Sequence, residues 1–351
     1  MTFRTLATLL RGGKIRMFRA LNGAARDFHR VAFLAGAIRS GLLPRLAAGP
    51  VPLDALASAL RLDPSGHERL EAWLQTGIAL GELEQRPGGY AARSALSRRL
   101  ADPKHDAAAA FIEEIAGLHH ALLTQTPERL HAGRRFTLAD QNARMIARSS
   151  RLMEPFVCEA LAGAVPRHGP FRLLEIGCGA AAYLRFAARR NPELTAVGVE
   201  LQAEAAALAR ANIAEWNLEK RVSIELGDIR TRTSEASFDL ATLHQNIYYF
   251  PVADRVALLR HVRSFLKPEG RLLLTTLSQG RGSPAAVLDL WGAMTAGCGR
   301  LPKPADLKAQ LEKAGFSEVT SRRLVPGESF FAFVGIHRAN LGRVRERRNA
   351  K

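Results

Sequence analysis

Leu173-Leu-Glu-Ile-Gly-Cys-Gly-Ala-Ala-Ala182 decides how this chain is to be read. Its first four residues, apolar except for Glu175, read as a buried strand. Gly177 and Gly179 then mark a tight turn, and a helical pattern follows. A glycine turn between a strand and a helix N-terminus lets backbone N–H groups come close to a nucleotide-like ligand. The next strand, Ala196-Val-Gly-Val-Glu200, ends on a carboxylate about 20 residues on. A carboxylate there accepts hydrogen bonds from two ribose hydroxyls. An adenosyl or adenine-dinucleotide ligand is therefore expected.

Two ligand classes compete. Gly177-x-Gly179-x-x-Ala182 fits the dinucleotide fingerprint, but a nicotinamide dehydrogenase needs a second mononucleotide-binding half, and no second glycine fingerprint follows. Glu175-x-Gly177-x-Gly179, with Cys178 inside the turn, resembles motif I of the class I S-adenosylmethionine-dependent methyltransferases. Glu200, followed by Leu201, matches that family's ribose-binding acid. Gly227-Asp228-Ile229, after a third strand, resembles the motif whose Asp bonds the adenine amino group. Phe238-Asp-Leu-Ala-Thr-Leu243 and Leu266-Lys-Pro-Glu-Gly-Arg-Leu-Leu-Leu274 resemble its fourth strand and the turn into its fifth. The resemblance covers roughly residues 166–338 and implies S-adenosyl-L-methionine as cofactor, with Glu175 near the methionyl ammonium. One departure is Ala181, where relatives often carry a third glycine. An alanine is expected to bar the φ > 0 conformation that glycine adopts cheaply. Bland readings stand beside these: a turn glycine, an N-cap for Asp228, a solvated strand end for Glu200, a small packing residue for Cys178.

The 351 residues exceed one compact domain, and 47% hydrophobic content supplies cores for two. Cys158, Cys178 and Cys298 show neither disulfide nor metal-ligand spacing. No metal is expected, and a reducing, cytoplasmic setting is. No apolar run reaches membrane-spanning length, and no signal-peptide pattern opens the chain. The net charge of +17 is concentrated near the ends. Residues 1–30 hold seven Lys/Arg against one acid, and residues 338–351 hold six against one. A nucleic-acid enzyme would place its charge around the active-site cleft, so nucleic acid is not the expected partner. Solubility, or peripheral contact of the basic termini with an anionic membrane, fits better.

Five segments are expected. Residues 1–27 form a basic amphipathic leader, with Phe3, Leu6, Leu9 and Leu10 on one face and a break at Gly12-Gly13. Residues 28–102 read as a helical domain: helices over Val31–Leu46 and from Pro52, a third begun by a Ser65–Glu68 capping box, then a hairpin turning at Pro87-Gly-Gly89. Helices followed by such a wing resemble a winged helix. DNA reading is disfavoured because the third helix offers Glu68 and Glu71 beside His67 and Arg69. The arrangement also resembles the N-terminal dimerisation domain of small-molecule O-methyltransferases, which implies a homodimer. Residues 103–165 form a helical connector, with helices over Ala107–Ala121 and Asn142–Leu161. The resemblance implies that it walls the substrate pocket, making His119, His120 and Met145 candidates. Residues 166–338 alternate strands and helices and end in an antiparallel hairpin, and residues 339–351 are a basic tail. The expected class is α/β: a Rossmann-like class I methyltransferase domain with a mixed seven-stranded sheet, preceded by a mainly α winged-helix-like domain.

Methyl transfer from a sulfonium is an in-line displacement, in which positioning supplies much of the rate. An oxygen acceptor of high pKa also needs a base, commonly histidine. In the resembled family that histidine follows the fourth strand. Aligning Ile247-Tyr-Tyr-Phe-Pro251 there puts Tyr248 in its place, and tyrosine is a poor base at neutral pH. Three alternatives stay open: His244 is the base, the acceptor is already acidic, or transfer goes to carbon or nitrogen by proximity. His244-Gln245-Asn246 sits at a strand's C-terminal end, where open α/β sheets bind ligands, so all three are candidates for cofactor contact. The insertion 278–303 holds an apolar helix with Trp291 and Met294 between glycines, which reads as a lid over an apolar acceptor or as a surface helix. The function expected is methylation of an apolar small molecule, on oxygen first. A nucleic-acid or protein methyltransferase and a non-catalytic cofactor-binding scaffold are the alternatives.

Overall fold

The computed structural model describes residues 14–338, so the expectations for residues 1–13 and for the tail 339–351 lie outside the described residues. The chain divides into two units. One comprises the residues up to Thr124 together with Gln141–Leu152, and the other Gln125–Asp140 and everything from Met153.

In the first unit, helix Lys14–Arg39 runs unbroken through the expected boundary at 27/28. The leader and the domain therefore share one helix, which stops where Gly41 turns with φ 75° before helix Leu42–Arg45. Phe33, Leu34, Leu42, Leu43, Leu56, Leu74, Leu83 and Tyr90 form the core. Helix His67–Ala79 closes on Phe33 only because residue 77 is glycine: a Cβ there would lie 2.4 Å from Phe33 Cζ. The expected capping box does not form. Ser65 lies in a 3₁₀ turn before the helix, and its hydroxyl donates to Asp63 (2.6 Å). The hairpin is β1 (Leu83–Arg86) and β2 (Gly89–Ala92). Beside it, buried Glu82 takes the Arg30 guanidinium and the Ser94 hydroxyl.

The connector is not a separate body. Arg148 binds Asp106 (2.6 Å) and Glu113 (3.3 Å), which ties 141–152 into the first unit. Phe136 bridges to Thr295, exchanging backbone bonds with Met294 and Ala296, which ties 125–140 into the second. The helix expected over 107–121 begins at Asp106, passes through a π-turn at Ile115–His119 and continues to His131.

The second unit is a seven-stranded sheet in the order β5-β4-β3-β6-β7-β9-β8. The strands are β3 (Phe171–Ile176), β4 (Leu194–Glu200), β5 (Val222–Leu226), β6 (Phe238–His244), β7 (Leu266–Leu277), β8 (Ser317–Arg323) and β9 (Phe330–Ile336). The first five are parallel, and β9 pairs antiparallel with both β7 and β8. The turn expected before the fifth strand is absorbed into β7, where Gly270 and Glu269 exchange backbone bonds with His337. Alternate side chains enter opposite cores: Leu173 and Leu273 on one face, Leu174, Leu272 and Leu274 on the other. From β3 the order runs one way to β4 and β5 and the other way to β6, so the ligand crevice of an open α/β sheet falls at the C-terminal ends of β3, β4 and β6.

Candidate cofactor site

Glu175, Glu200 and His244 stand at those strand ends. Gly177 and Cys178 both donate their N–H to Val199 O (2.8 and 3.2 Å), which folds the turn back over β4. Gly177 and Gly179 take φ of 68° and 51°. Ala181 takes φ 65° as well, against the sequence expectation. An L-residue in that region costs about 1–2 kcal/mol, offset here by the fully buried methyl and the Ala181 N–H to Cys178 O bond.

Glu200 organises the turn. One carboxylate oxygen accepts from Gly179 N–H (2.9 Å) and the other from Gln202 N–H (3.0 Å). Two oxygens offer about four acceptor sites, so ribose hydroxyls still find lone pairs. Above Gly179 and Gly227 a Cβ would meet nothing within 4 Å, so a ligand can lie directly on this backbone. Leu201, next to Glu200, is 58% exposed, whereas Ile229 is buried.

Glu175 is 1% exposed and its Oε2 has no hydrogen-bond partner. Burial, and then the Glu200 charge, hold its carboxyl well above the usual carboxylate range. His244 is buried as well. Its Nδ1 meets the Thr275 hydroxyl (2.9 Å), its ring lies edge-on to Tyr183, and Nε2 has no partner. Burial pushes the ring down to about 3, so it is neutral at physiological pH. Asn246 donates to Ile176 O (2.5 Å) over Gly177, leaving its buried Oδ1 unpartnered. Three unpartnered buried polar atoms thus gather at the ends of β3 and β6. They fit a polar, cationic amino-acid moiety, and the open glycine backbone fits an adenosyl group.

The Gln245 side-chain oxygen accepts from Leu277 N–H (3.1 Å), which ties that side chain to β7. Cys178 packs on Gly198, and burial pushes its thiol up, away from nucleophilic chemistry. Asp228 is gripped bidentately by Arg230 (2.6 Å at the shortest contact), which holds its carboxyl below the usual range. Arg230 and Tyr183 were not singled out from sequence. Arg230 could have been, because it stands two residues from Asp228.

Tyr248 is buried, stacked on Tyr249 (5.2 Å) and edge-on to Trp291 (6.0 Å). The insertion is pinned rather than hinged. Asp289 binds Arg300 and accepts from Leu301 N–H (2.9 Å), Gln279 reaches Leu301 O (2.8 Å), and buried Arg255 reaches Arg300 O (2.6 Å). A freely swinging lid is therefore not what the glycines provide. Trp291 and Met294 are buried within the second unit. His119, His120 and Met145 belong to the first. There His119 pairs with Glu114 (3.2 Å) and His120 lies against Phe28. Among the described residues, no group of three or more His, Cys, Asp or Glu is placed to hold a metal ion.

Residues 174–272 match the family described as "Methyltransferase domain". Demethylspheroidene O-methyltransferase of Rhodobacter capsulatus is 28% identical over 192 residues, covering 53% of this chain and 47% of that protein. 3-Hydroxy-5-methyl-1-naphthoate 3-O-methyltransferase of Streptomyces sahachiroi is 25% identical over 328 residues, covering 88% and 92%. The solved structure of the mitomycin 7-O-methyltransferase MmcR superposes with a TM-score of 0.76 at 20% identity, over 94% of this chain and 100% of that one, a likeness of fold. The chain spans about half the length of the first curated relatives it matches. The strand order and the family match agree that residues 174–272 lie in a methyltransferase domain of Rossmann-like fold.

Proposed function

We propose that the chain methylates an apolar small-molecule acceptor, on oxygen, from S-adenosylmethionine. The observation that carries the reading is the buried, unpartnered carboxylate of Glu175 beside a glycine turn held by Glu200. When bound, the cofactor supplies an electrophilic methyl on a sulfonium. Glu175 holds its ammonium and Glu200 its ribose. Leu201, Asp228 and Ile229 would hold the adenine, and Gly177, Cys178, Gly179 and Gly227 would offer it close backbone. Asn246 and neutral His244 give hydrogen bonds at the amino-acid end, while Gln245 braces β6 against β7. Tyr248 lines the acceptor side with Trp291. A ring that resists protonation down to about 3 is a weak base, so His244 serves as a hydrogen-bonding group. The acceptor then arrives ionised or is activated by placement.

The acceptor class rests on the relatives, which are named for a demethylspheroidene and a hydroxynaphthoate. The first unit is proposed as a winged-helix-like dimerisation domain. Met17, Phe18, Leu21 and Phe28 are each about half exposed on helix Lys14–Arg39 and form the face that a second copy would cover. An anionic membrane is the other surface that such a basic amphipathic helix suits. No helix among the described residues is long and apolar enough to cross a membrane. A cytoplasmic setting and a small-molecule rather than nucleic-acid partner complete the reading.

Incubation with methyl-labelled S-adenosylmethionine and a panel of hydroxylated naphthoates, phenols and polyene alcohols tests it. Label is expected in the organic extract of at least one acceptor. Label confined to added protein or RNA, or none transferred by a cofactor-bound enzyme, would count against it.

A further inference from the structure

Glu175 is buried at the end of β3, and its Oε2 has no hydrogen-bond partner. The titratable groups around it come from neighbouring elements. They are Glu200 on β4, Cys178 in the glycine turn, Tyr183 on helix Ala182–Arg190 and Cys158 on helix Glu154–Ala164, with Glu154 acting on Cys158 and Tyr183 and the His244 ring of β6 edge-on to Tyr183. Glu200 and Glu154 add negative charge, the two thiols and the phenol are pushed up by burial, and His244 is neutral. Arg210 acts on Cys178, and burial and the Glu200 charge are the influences on Glu175 itself. Arg185, on the same helix as Tyr183, lies over Trp216 instead.

A buried carboxylate with no counter-ion takes up a proton, because desolvation penalises the charged form. An ammonium brought against the same oxygen reverses that preference. We propose that seating the cofactor's α-ammonium against Glu175 expels the carboxyl proton, so that each binding event releases one proton to solvent. The inference rests on the cofactor assignment above. Charge balances: the site gains one positive ammonium and one negative carboxylate, and the proton leaves to buffer. No covalent bond of the cofactor changes. Apparent affinity then rises about tenfold per pH unit while Glu175 is protonated in the free protein, and levels off above that range.

Calorimetric titration of the full chain with S-adenosylhomocysteine tests this, at about pH 6 to 7 in buffers of low and high ionisation enthalpy, where the ligand amine is still charged. The expected result is a net proton release of up to one per site, larger at the lower pH. 5′-Methylthioadenosine lacks the amino-acid part, so it should bind with no proton release. Glu175→Gln should bind S-adenosylhomocysteine with no release and with pH-independent affinity. If that variant does not fold, the two ligands on the wild-type chain still decide. Equal proton counts for both ligands would overturn the inference and leave the cofactor assignment standing. Failure of both ligands to bind would overturn both.

Discussion

Gly198 sits mid-strand in β4, and a methyl group there would lie 2.8 Å from Cys178 Sγ and from Leu184 Cδ1, and 2.9 Å from Ile224 Cδ1. Gly198→Ala is therefore expected to cost about 1–3 kcal/mol by overpacking. Adding Cys178→Ala should recover part of that, read as a non-additive double-mutant cycle in urea melts. Purely additive costs would mean that the two residues do not share the space. At Ala181 the balance runs differently. Glycine would relieve about 1–2 kcal/mol of left-handed strain but lose a buried methyl worth about 0.8 kcal/mol and add unfolded-chain entropy. Ala181→Gly should stay within about 1 kcal/mol of wild type, whereas Ala181→Val, β-branched at positive φ, should unfold at distinctly lower denaturant. The sequence marked Glu175, Glu200 and the turn glycines because strand-turn-helix spacing fixes their place. It misjudged Ala181 because the turn's bonds to Val199 and Cys178 impose a conformation that residue type alone argues against.

Elements were legible where one period ruled. β3, β4 and β6 lie close to expectation, since each is a short, mainly apolar run bounded by turn residues. The connector was misread because its ties are long-range. The Arg148–Asp106 pair and the Phe136–Thr295 bridge join residues far apart in sequence. The insertion was half-legible: its apolar helix showed, but the polar knot at Asp289 did not. Asp289 takes a guanidinium and the Leu301 N–H. Asp289→Ala leaves those donors unmatched, and hydrogen exchange should speed across 283–301 by roughly tenfold or more. Unchanged protection there would show that packing of Trp291 alone holds the insertion. If helix Lys14–Arg39 meets a second copy, Leu21→Glu with Phe28→Glu should shift the chain to monomer in sedimentation. A wild type that is already monomeric would rule that partner out.

For the molecule as a whole, acid is the revealing variable. An unfolded histidine takes a proton near pH 6.5, while the buried His244 ring resists down to about 3. The unfolded chain thus binds more protons across that window, and His244's contribution makes stability fall as pH drops from about 6.5. Its slope is at most about 1.4 kcal/mol per pH unit. Glu175 acts oppositely, keeping its proton in the fold where the unfolded chain would release it, so its contribution falls as pH rises. Urea midpoints for His244→Gln should therefore decline less with acid than those of wild type. Parallel curves would mean that the ring is not the buried neutral group described. Function was legible as far as the cofactor, because five ordered motifs carry it. The acceptor was not, because it is set by apolar shape that no motif encodes. The most direct test of the central claim is calorimetric titration with S-adenosylmethionine of wild type, Glu200→Ala and Asp228→Ala. The account predicts roughly micromolar binding, about −8 kcal/mol, weakened about tenfold or more by either substitution. No binding to the wild-type chain would contradict it.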